Sequence, residues 1–538
     1  MFTATKNNFI KVGTPAEYAR LTLTEQLKDL GLALCTLICF YLAFPTGQLA
    51  FLAWFVMVPI FLAVQGKSPG YAFKLSLITA TLGWFCSIWW VIEGISKISN
   101  APANLVLPVV FVFCIVAALP YAVAFWLQAK LKLTSDIRGA VVSALIFTIL
   151  TNFLPHILPG NLAHALYLQP QMIQLASVGG VALVFFLIHL VNVLIANSII
   201  LLRRNFGEAL KTLFCAMMLF TANLVFGFVL LATASTDNRS ETNNLKVAMI
   251  QPNISTDSRS REDWLEQSAH LIPLISHVNQ HYDVDLLILP EIPVPVSFRH
   301  FKEDESMLKS VLGPTPLLLT SIEPIGDKIS EEKGYFNTVE LVSSGEVKQS
   351  YYKQVLLPFG EYLPFQESLP WLRELFPDMP SYRTQSASPI LTLAADGREF
   401  AIVPLICYEA VFTQQVRQGV AAGGDILINT SNDAWFSDLA GNRTHLALSL
   451  FRSVEYRSPM VRNTNTGISV VIDKYGRIQQ DSEITPETIG FSVTEISLDK
   501  ITSVYQKYGE LIPYLMFVTA FVLVRGQLNS RNARGYRK

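Results

Sequence analysis

The sequence predicts a multi-helix transmembrane bundle of about eight helices, joined to an α/β domain. Three observations indicate this architecture: 51% of the 538 residues are hydrophobic, only 15% are charged, and the charges are missing from long blocks of the chain. Because a soluble protein is about one quarter charged, a wholly soluble chain and a disordered chain are both excluded. The net charge of −1 gives no basic field for nucleic acid, and no such partner is expected.

Eight apolar segments account for the blocks without charge. A membrane-spanning helix needs about 20 apolar residues, and the blocks divide at proline, glycine and polar positions into segments of this order. The predicted helices are 30–45, 48–65, 71–93, 104–127, 138–154, 171–202, 209–232 and 511–524. The predicted domains are residues 1–232, a cytoplasmic segment with helices 1–7; residues 233–508, the extramembrane domain; and residues 509–538, helix 8 with a basic tail.

Basic residues between the helices predict the orientation of the chain. Segments after helices 2, 4, 6 and 8 carry twelve Lys and Arg residues, whereas the short loops after helices 3 and 5 contain only Lys97. Because basic loops stay on the cytoplasmic side, both termini are expected inside and residues 233–508 outside. The first helix follows mixed-charge residues and has no small-residue cleavage site, which indicates an anchor rather than a removed signal peptide.

Residues 233–508 alternate short β-type runs with helical segments, which is typical of a layered α/β domain. The predicted strands are Val247–Gln251, Leu286–Leu289, Leu317–Thr320, Thr338–Val342, Phe400–Ile406, Ile426–Asn429 and Gly467–Ile472. Helical segments between them include Arg261–Asn279 and Thr444–Tyr456. No cluster of Cys and His has zinc-ligand spacing and no phosphate-binding glycine motif occurs, so neither a metal nor a cofactor is expected.

Cys407 is the only cysteine of the predicted extramembrane domain, because the other five lie in hydrophobic spans. Without a disulfide partner in that domain, it is either buried or chemically required. Cys407 and Glu291 each end an apolar strand, and functional groups of α/β sheets collect at the carboxyl ends of strands. Lys353, in Ser350-Tyr-Tyr-Lys353, can supply positive charge to a developing oxyanion. Together the three residues favour a catalytic set over three separate structural roles.

Residues 246–475 resemble the nitrilase superfamily, whose members use a Glu–Lys–Cys triad on an α-β-β-α sandwich. The motifs that carry the resemblance are Pro290-Glu291, Tyr352-Lys353 through Pro358-Phe-Gly-Glu361, Ile406-Cys407-Tyr408-Glu409, Ser431-Asn-Asp-Ala-Trp435-Phe436 and Asn463-Thr-Asn465-Thr-Gly467-Ile468. Leu289 departs from the pattern, since an aromatic residue is expected before Pro-Glu, and this alters the pocket lining rather than the triad. A nitrilase-like domain between the last two helices of a bundle is similar to the bacterial apolipoprotein N-acyltransferase family.

This resemblance implies a phospholipid:apolipoprotein N-acyltransferase. It implies that Cys407 attacks an ester carbonyl of a phospholipid, with phosphatidylethanolamine as the suggested donor. Glu291 is the implied general base, and Lys353 stabilises the oxyanion together with the backbone N–H of Tyr408. The diacylated N-terminal cysteine of an apolipoprotein then takes the acyl chain from a Cys407 thioester in a ping-pong mechanism. The implied location is the bacterial inner membrane, with the catalytic domain in the periplasm and both termini cytoplasmic.

Three residues near the triad have both a functional and a structural interpretation. Glu361 either positions Lys353 or shares the base role of Glu291, or it is an ordinary loop glutamate that caps a helix. Glu409 either orients Lys353 or forms an ordinary salt bridge. Tyr408 either lines an acyl pocket or packs without a role in the reaction.

Aromatic and amide residues farther along the chain are candidates for the pocket. Trp264 either contacts substrate or belongs to the core face of a helix. Asn432 and Trp435 follow the strand Ile426–Asn429 and are expected to shape the pocket. His445, Arg452 and Glu455 share one predicted helix, which favours a polar network on a helix face. His445 as a general base is the weaker interpretation, because Glu291 already fills that role.

Residues 363–377 contain many large apolar side chains and three prolines. We expect a loop that dips into the outer-leaflet interface, with Trp371 and Phe376 as membrane anchors. The alternative is an internal lid packed against the protein.

Two other functions remain open. A membrane-tethered nitrilase-type amidase or hydrolase would use the same triad with water attacking the thioester, so the triad does not decide between hydrolysis and transfer. Eight helices favour a lipid substrate, because one helix would suffice as a tether. A non-catalytic transport or binding protein is disfavoured, because a polar path would need charged residues inside the spans.

Overall fold

A helical bundle carries a domain of two stacked β-sheets in the computed structural model. The described residues are 21–44, 47–133, 136–154, 156–236, 243–255, 269–293, 314–325, 334–395, 397–436 and 439–535. The helices of the bundle that precede the sheets are α1 (Leu23–Ala43), α2 (Val58–Val64), α3 (Pro69–Ile88), α4 (Val91–Ser99), α5 (Ala103–Leu131), α6 (Ile137–Asn152), α7 (Pro170–Ile173), α8 (Ala176–Leu201) and α9 (Phe206–Thr236).

Five helices in the described ranges are long and apolar enough to cross a membrane, namely α1, α3, α5, α8 and α9. Three shorter apolar segments, Ala50–Val64, Ile137–Asn152 and Ile512–Gly526, add to them. Each of these eight segments overlaps one predicted helix, so the predicted multi-helix bundle is confirmed. The predicted helix 71–93 is divided in the structure, because its first part ends with α3 and its second part begins α4.

Helix α8 is kinked at Gly179 and Gly180, where the predicted helix 171–202 is continuous. Gly180 has a φ of +69°, and a Cβ at this position would lie 2.6 Å from the ring of Tyr505. Glycine therefore satisfies both the left-handed backbone and the close approach. The kink frees the N–H of Val181, which donates to Glu455 Oε1 of the sheet domain at 2.9 Å.

The sheet domain contains eleven described strands, and the remaining described helices lie within it or follow it in the chain. The strands are β1 (Asn244–Gln251), β2 (Leu286–Ile288), β3 (Leu317–Pro324), β4 (Tyr335–Ser343), β5 (Glu346–Tyr352), β6 (Leu391–Ala395), β7 (Arg398–Ile406), β8 (Ile426–Ser431), β9 (Met460–Thr464), β10 (Val470–Ile472) and β11 (Gly490–Ser497). The helices are α10 (Leu271–His281), α11 (Trp371–Leu375), α12 (Thr413–Ala421), α13 (Leu439–Tyr456), α14 (Val504–Tyr508) and the C-terminal membrane helix α15 (Ile512–Gly535).

Two sheets pack face to face to form the core of this domain. One sheet has the order β11-β1-β2-β3-β4-β5 and the other β10-β9-β8-β7-β6, with parallel pairing of β1 to β2, β2 to β3, β7 to β8 and β8 to β9. Inward-facing residues such as Ile288 and Ile406 share one buried cluster. Helix α10 packs on the outer face of the first sheet, and α13 packs between the second sheet and the bundle. The predicted α-β-β-α sandwich is therefore confirmed.

The position of strand β7 in the fold explains why its sequence is a continuous apolar run. Ile402 and Ile406 face the opposite sheet, whereas Val403 and Leu405 face α13 and the bundle. Both faces of the strand are buried, as parallel strands of layered domains usually are. Strand β9 was not predicted, because its Arg462 and Asn463 are buried polar residues that interrupt the apolar pattern.

Candidate active site

Glu291 lies immediately beyond β2, and its carboxylate is only 5% exposed. Oε2 accepts a hydrogen bond from the backbone N–H of Asn432 at 2.9 Å, and Oε1 accepts from Asn337 Nδ2 at 2.8 Å. Lys353 Nζ lies 3.5 Å from the same Oε1. The carboxylate is thus held in one orientation by groups from both sheets.

Lys353 follows β5 and is 1% exposed, so its ammonium is nearly removed from water. Nζ lies 2.7 Å from Glu361 Oε1, in addition to its contact with Glu291. Burial alone would lower the pKa of Lys353, but the carboxylates of Glu361 and Glu291 raise it well above the ordinary lysine value. Lys353 is therefore a fixed positive charge at neutral pH.

Glu361 contacts both Lys353 and the backbone of its own loop. Its Oε1 binds Lys353, and its Oε2 accepts from the backbone N–H of Leu357 in its own loop at 2.8 Å. Asn337 Nδ2 also lies 3.3 Å from Glu361 Oε1, so this amide connects both carboxylates that flank the lysine. The loop contact fixes the carboxylate, and the fixed carboxylate positions the ammonium.

Cys407 ends β7 and adopts a φ of +50°, a left-handed conformation that costs a non-glycine residue about 1–3 kcal/mol. Its carbonyl oxygen accepts from Asn429 Nδ2 at 3.3 Å and lies 3.2 Å from His445 Nε2. Burial raises the pKa of the Cys407 thiol, the charge of Glu291 raises it further, and Lys353 lowers it. The resting thiol is therefore protonated at neutral pH and needs a base to become a nucleophile.

Glu409 joins the segment that carries Lys353 to the segment that carries Cys407. Its Oε1 accepts from the backbone N–H groups of Gln354 at 2.6 Å and Val355 at 3.1 Å, and its Oε2 accepts from that of Ile406 at 2.9 Å. Burial raises the pKa of Glu409 to about 7, against these hydrogen bonds and Lys353, which lower it. In the described part of the chain its carboxylate contacts the backbone beside the lysine rather than the ammonium itself.

The remaining candidates near the triad differ in what they contact. Tyr408 is buried; its hydroxyl donates to the carbonyl of Ile157, and its ring packs edge-on against Phe412 at 4.7 Å. Asn432 binds Glu291 through its backbone, and its Oδ1 accepts from Asn465 Nδ2 at 3.0 Å.

Two tryptophan candidates stand apart from these contacts. Trp435 is partly buried, and its carbonyl lies against Gly94 of α4, where a Cβ would be 3.1 Å away. Trp264 lies outside the described residues. No described contact joins either tryptophan to Cys407, Glu291 or Lys353.

The two proposed membrane anchors occupy different environments. Trp371 begins the short helix α11 and is 52% exposed, so its role as an interfacial anchor stays a prediction. Phe376 is 1% exposed and packs with Val106 and Val110 of α5 and with Leu363. The prediction of Phe376 as a membrane-facing anchor is wrong, because burial against α5 removes its ring from the surface.

A buried ion pair beneath the cysteine was not recognised in the sequence. Asp433 forms a salt bridge with Arg462, and its Oδ1 lies 3.1 Å from His445 Nδ1. Burial alone would raise the pKa of Asp433, but Arg462 and His445 lower it below the ordinary value. Arg462 Nη1 also donates to Asn429 Oδ1 at 2.6 Å, so the pair supports both groups that hold the Cys407 carbonyl.

A recognisable signal for this ion pair was present in the sequence. Arg462 follows the apolar pair Met460-Val461 directly, and a charged residue at such a position is buried only with a partner. Asp433 lies inside the Ser431–Phe436 motif, from which the sequence analysis selected only Asn432 and Trp435 as candidate pocket residues. Within the described ranges, no group of three or more His, Cys, Asp or Glu side chains is arranged to hold a metal ion.

We expect the two charged neighbours of Cys407 to shift its titration in opposite directions. Glu291→Gln removes a charge that raises the pKa of the thiol, so alkylation should reach half-maximal rate at lower pH. Lys353→Met removes the charge that lowers the pKa, so the midpoint should rise. Each shift should be on the order of one pH unit, a tenfold change in thiolate fraction. Mass spectrometry of the iodoacetamide-labelled Cys407 peptide measures both midpoints, and shifts in the same direction would contradict this electrostatic arrangement.

Two family models match the chain and cover the two parts of the fold. Residues 38–194 match the apolipoprotein N-acyltransferase N-terminal domain, and residues 246–506 match the carbon-nitrogen hydrolase family. The first match covers much of the bundle, and the second covers the sheet domain with Glu291, Lys353 and Cys407.

Curated relatives extend the likeness along the chain. The apolipoprotein N-acyltransferase of Geobacter metallireducens is 27% identical over 94% of this chain and 97% of that protein. The one of Rhizobium meliloti is 31% identical over 79% of this chain and 82% of that protein. Among solved structures, a nitrilase-superfamily amidase of Nesterenkonia aligns with a TM-score of 0.35 and 18% identity, over 47% of this chain and 91% of that one. On the family models and the full-length relatives, the chain belongs to the apolipoprotein N-acyltransferase family and is a membrane acyltransferase with a nitrilase-superfamily domain.

Proposed function

We propose that Cys407, Glu291 and Lys353 transfer a fatty acyl chain from a phospholipid to an apolipoprotein through a thioester on Cys407. The observation that carries this proposal is the buried Lys353 ammonium, held between Glu291 and Glu361 and close enough to lower the pKa of the Cys407 thiol. A fixed positive charge beside a thiol and a carboxylate base supplies the groups that acyl transfer requires.

In the first half-reaction, Glu291 takes the thiol proton as the Cys407 sulfur attacks the ester carbonyl of the phospholipid. The oxyanion that forms is stabilised by Lys353 and by the N–H of Tyr408. That N–H lies in the first turn of a 3-10 helix, where backbone N–H groups have no partner within the helix. When the tetrahedral intermediate collapses, the C–O bond breaks and Glu291 returns the proton to the departing lysophospholipid oxygen.

In the second half-reaction, the α-amino group of the diacylated N-terminal cysteine of the apolipoprotein attacks the thioester carbonyl. Glu291 takes a proton from the amine, and the same two donors stabilise the second oxyanion. The C–S bond then breaks, and the Cys407 sulfur recovers its proton from Glu291. Because the lysophospholipid leaves before the amine reacts, the kinetics are ping-pong.

Positioning groups complete the proposed site. Glu361 holds Lys353 through a 2.7 Å contact, and Glu409 joins the Lys353 segment to the strand that ends at Cys407. Tyr408 and Asn432 shape the surroundings of the sulfur and of Glu291, and Trp435 follows Asn432 in the Ser431–Phe436 motif. Trp264 remains a candidate substrate contact.

The proposed donor is phosphatidylethanolamine, an abundant bilayer phospholipid, and the proposed acceptor is a diacylated apolipoprotein. The proposed location is the bacterial inner membrane, with residues 233–508 on the periplasmic side. Residues 1–232 and 509–538 are the membrane parts, with both termini in the cytoplasm. The charge asymmetry of the loops supports this orientation.

Intact-mass measurement of the full-length protein after incubation with phosphatidylethanolamine vesicles tests the covalent step. The parent protein should gain one acyl group that hydroxylamine removes, whereas Cys407→Ser should gain none. Cys35→Ser, an exposed cysteine of α1, is the matched control and should be acylated as the parent protein is. A parent protein that stays unmodified while it still N-acylates a lipopeptide would overturn the thioester mechanism.

Adding a diacylated lipopeptide distinguishes acyl transfer from hydrolysis. The proposed transferase should convert the acylated protein to free enzyme with one N-acylated peptide for each thioester lost. Release of free fatty acid in place of acylated peptide would favour the tethered hydrolase instead.

A further inference from the structure

A cavity of about 120 Å³ lies inside the helical bundle, between α1, α2, α3, α5 and α8. A cavity of about 10–15 Å³ is enough for one water molecule, so this space is larger than an ordinary packing defect. Apolar residues such as Leu37, Phe40, Ala80 and Ile60 line it, and Leu448 of α13 reaches its wall from the sheet domain.

The hydroxyl groups on the cavity wall have partners on their own helices. Ser76 Oγ donates to the carbonyl of Ala72 at 2.6 Å, and Thr79 Oγ1 donates to that of Leu75 at 2.8 Å. Ser87 donates to the carbonyl of Gly83 at 2.8 Å in the same way. Because these hydroxyls are satisfied within α3, the wall that α3 contributes suits a hydrocarbon chain. The imidazole of His189 on α8 also lines the cavity, and neither of its ring nitrogens has a hydrogen-bond partner among the described residues.

The cavity connects to the apolar surroundings of Cys407. Leu448 lines the cavity and also packs in the buried cluster that contains Tyr408, with Leu158 and Cys407 against it. At Gly160, a Cβ would lie 3.8 Å from both Leu448 and Trp84, so these groups meet at the end of the cavity nearest the sheet domain. The cavity therefore shares part of its wall, at Leu448 and Leu158, with the apolar surroundings of Cys407.

The length of the cavity along α3 matches one fatty acyl chain. Its wall includes residues from Ile88 to Ser76, which at 1.5 Å per residue spans about 18 Å of helix. An acyl chain occupies one leaflet, about half of the 30 Å hydrocarbon core of a bilayer, or about 15 Å. The end at Ile88 lies toward the sheet domain, since the neighbouring Trp90 ring packs against Phe436 at 4.5 Å.

We propose that this cavity holds the acyl chain of the Cys407 thioester and sets its length, with Gly83 and Ala80 as the residues that determine specificity. The inference rests on the proposed function, because it needs an acyl group on Cys407. A Cβ at Gly83 would meet only Leu37 Cδ2 at 3.7 Å, so this glycine leaves open space in the path of the chain. Ala80 lies one turn deeper on the same helix.

Competition between phosphatidylethanolamines of different chain length tests the proposal. Full-length protein in vesicles with equal amounts of short-chain and long-chain donors is acylated, and the mass of the acyl group on Cys407 is measured. Each methylene group excluded from an apolar site lowers relative binding about fourfold. Gly83→Leu should therefore lower the ratio of long to short chains on Cys407 by more than tenfold.

A second variant and a matched control separate the proposal from general damage. Ala80→Leu should also shorten the preferred acyl chain. The longest chain that it accepts should still exceed the longest chain that Gly83→Leu accepts, because the block lies deeper in the cavity. Gly70→Leu makes the same substitution on α3 where nothing lies within 4 Å, and it should keep the parent ratio. If Gly83→Leu does not fold, the test is whether Gly83→Ala limits the acyl group on Cys407 to shorter chains than Ala80→Leu does.

The outcomes distinguish this inference from the proposed function. An acylated parent protein with an unchanged chain-length ratio in the folded Gly83 and Ala80 variants would overturn the inference and leave the thioester mechanism standing. A parent protein that never carries an acyl group on Cys407 would overturn both.

Discussion

Lys353→Met should abolish nearly all acyl transfer and destabilise the sheet domain by about 3–5 kcal/mol, the usual cost of removing one partner of a buried ion pair. Lys353 is 1% exposed, and both carboxylates that contact it are also buried. Without the ammonium, Glu291 and Glu361 are left as neighbouring negative charges that share the amide of Asn337. Loss of an oxyanion donor alone lowers rates by about 10²–10³, so transfer should fall by at least this factor.

The measurement pairs lipopeptide N-acylation with thermal unfolding in detergent. Lys348→Met is the matched control, because Lys348 lies on β5, five residues from Lys353, and pairs with Glu346 at the surface, where both side chains are well exposed. Such surface pairs contribute about 0–1 kcal/mol, so this variant should keep its activity and stability. Substantial transfer by a folded Lys353→Met protein would contradict the proposed role of the ammonium.

Arg462→Met should destabilise the sheet domain by a similar amount, about 3–5 kcal/mol, although Arg462 touches none of the three triad side chains in the described contacts. Arg462 and Asp433 are both fully buried. The substitution leaves the Asp433 carboxylate with His445 and the hydroxyl of Ser431 as its remaining partners. It also removes the donor to Asn429, one of the two groups that hold the Cys407 carbonyl.

The loss should depend on pH with a defined sign. The pKa of Asp433 is lowered in the folded protein, so its ionised form stabilises the fold above the ordinary aspartate pKa and this stabilisation is lost in acid. The stability difference between the parent protein and Arg462→Met should therefore be largest near neutral pH and shrink as pH falls. Arg477→Met is the control, since Arg477 pairs with Asp473 at 41% side-chain exposure. A pH-independent difference would indicate lost packing rather than a lost charge pair.

Local patterns predicted the architecture because they depend on short stretches of chain. Charge-free blocks predict membrane helices wherever the bilayer is the solvent, and each predicted helix overlaps an observed apolar segment. Strands such as β7 and β8 are apolar on both faces, so they read as continuous runs. The edge strand β5, with Glu346 and Lys348 among its residues, and β9, with its buried Arg462, escaped prediction because polar residues interrupt the apolar pattern.

The sequence by itself determined that a membrane bundle carries an α/β domain, and it marked Glu291 and Cys407 as strand-end residues with Lys353 between them in the chain. Only the tertiary structure decided which groups surround them. The amide of Asn337 contacts the carboxylates of Glu291 and Glu361. Arg462, on another strand, donates to Asn429, which holds the Cys407 carbonyl. Phe376 is buried against α5 rather than facing lipid.

The physical reason for this difference is how far apart in the chain the residues that determine each feature lie. Apolar periodicity and the end of a strand are properties of neighbouring residues. The charge state of a buried lysine depends instead on carboxylates from other segments of the chain. The cavity beside Gly83 depends on five bundle helices and α13 meeting around an open space. Such arrangements exist only when distant segments pack together, so the sequence could mark Glu291, Lys353 and Cys407 as candidates but could not show the groups or the cavity around them.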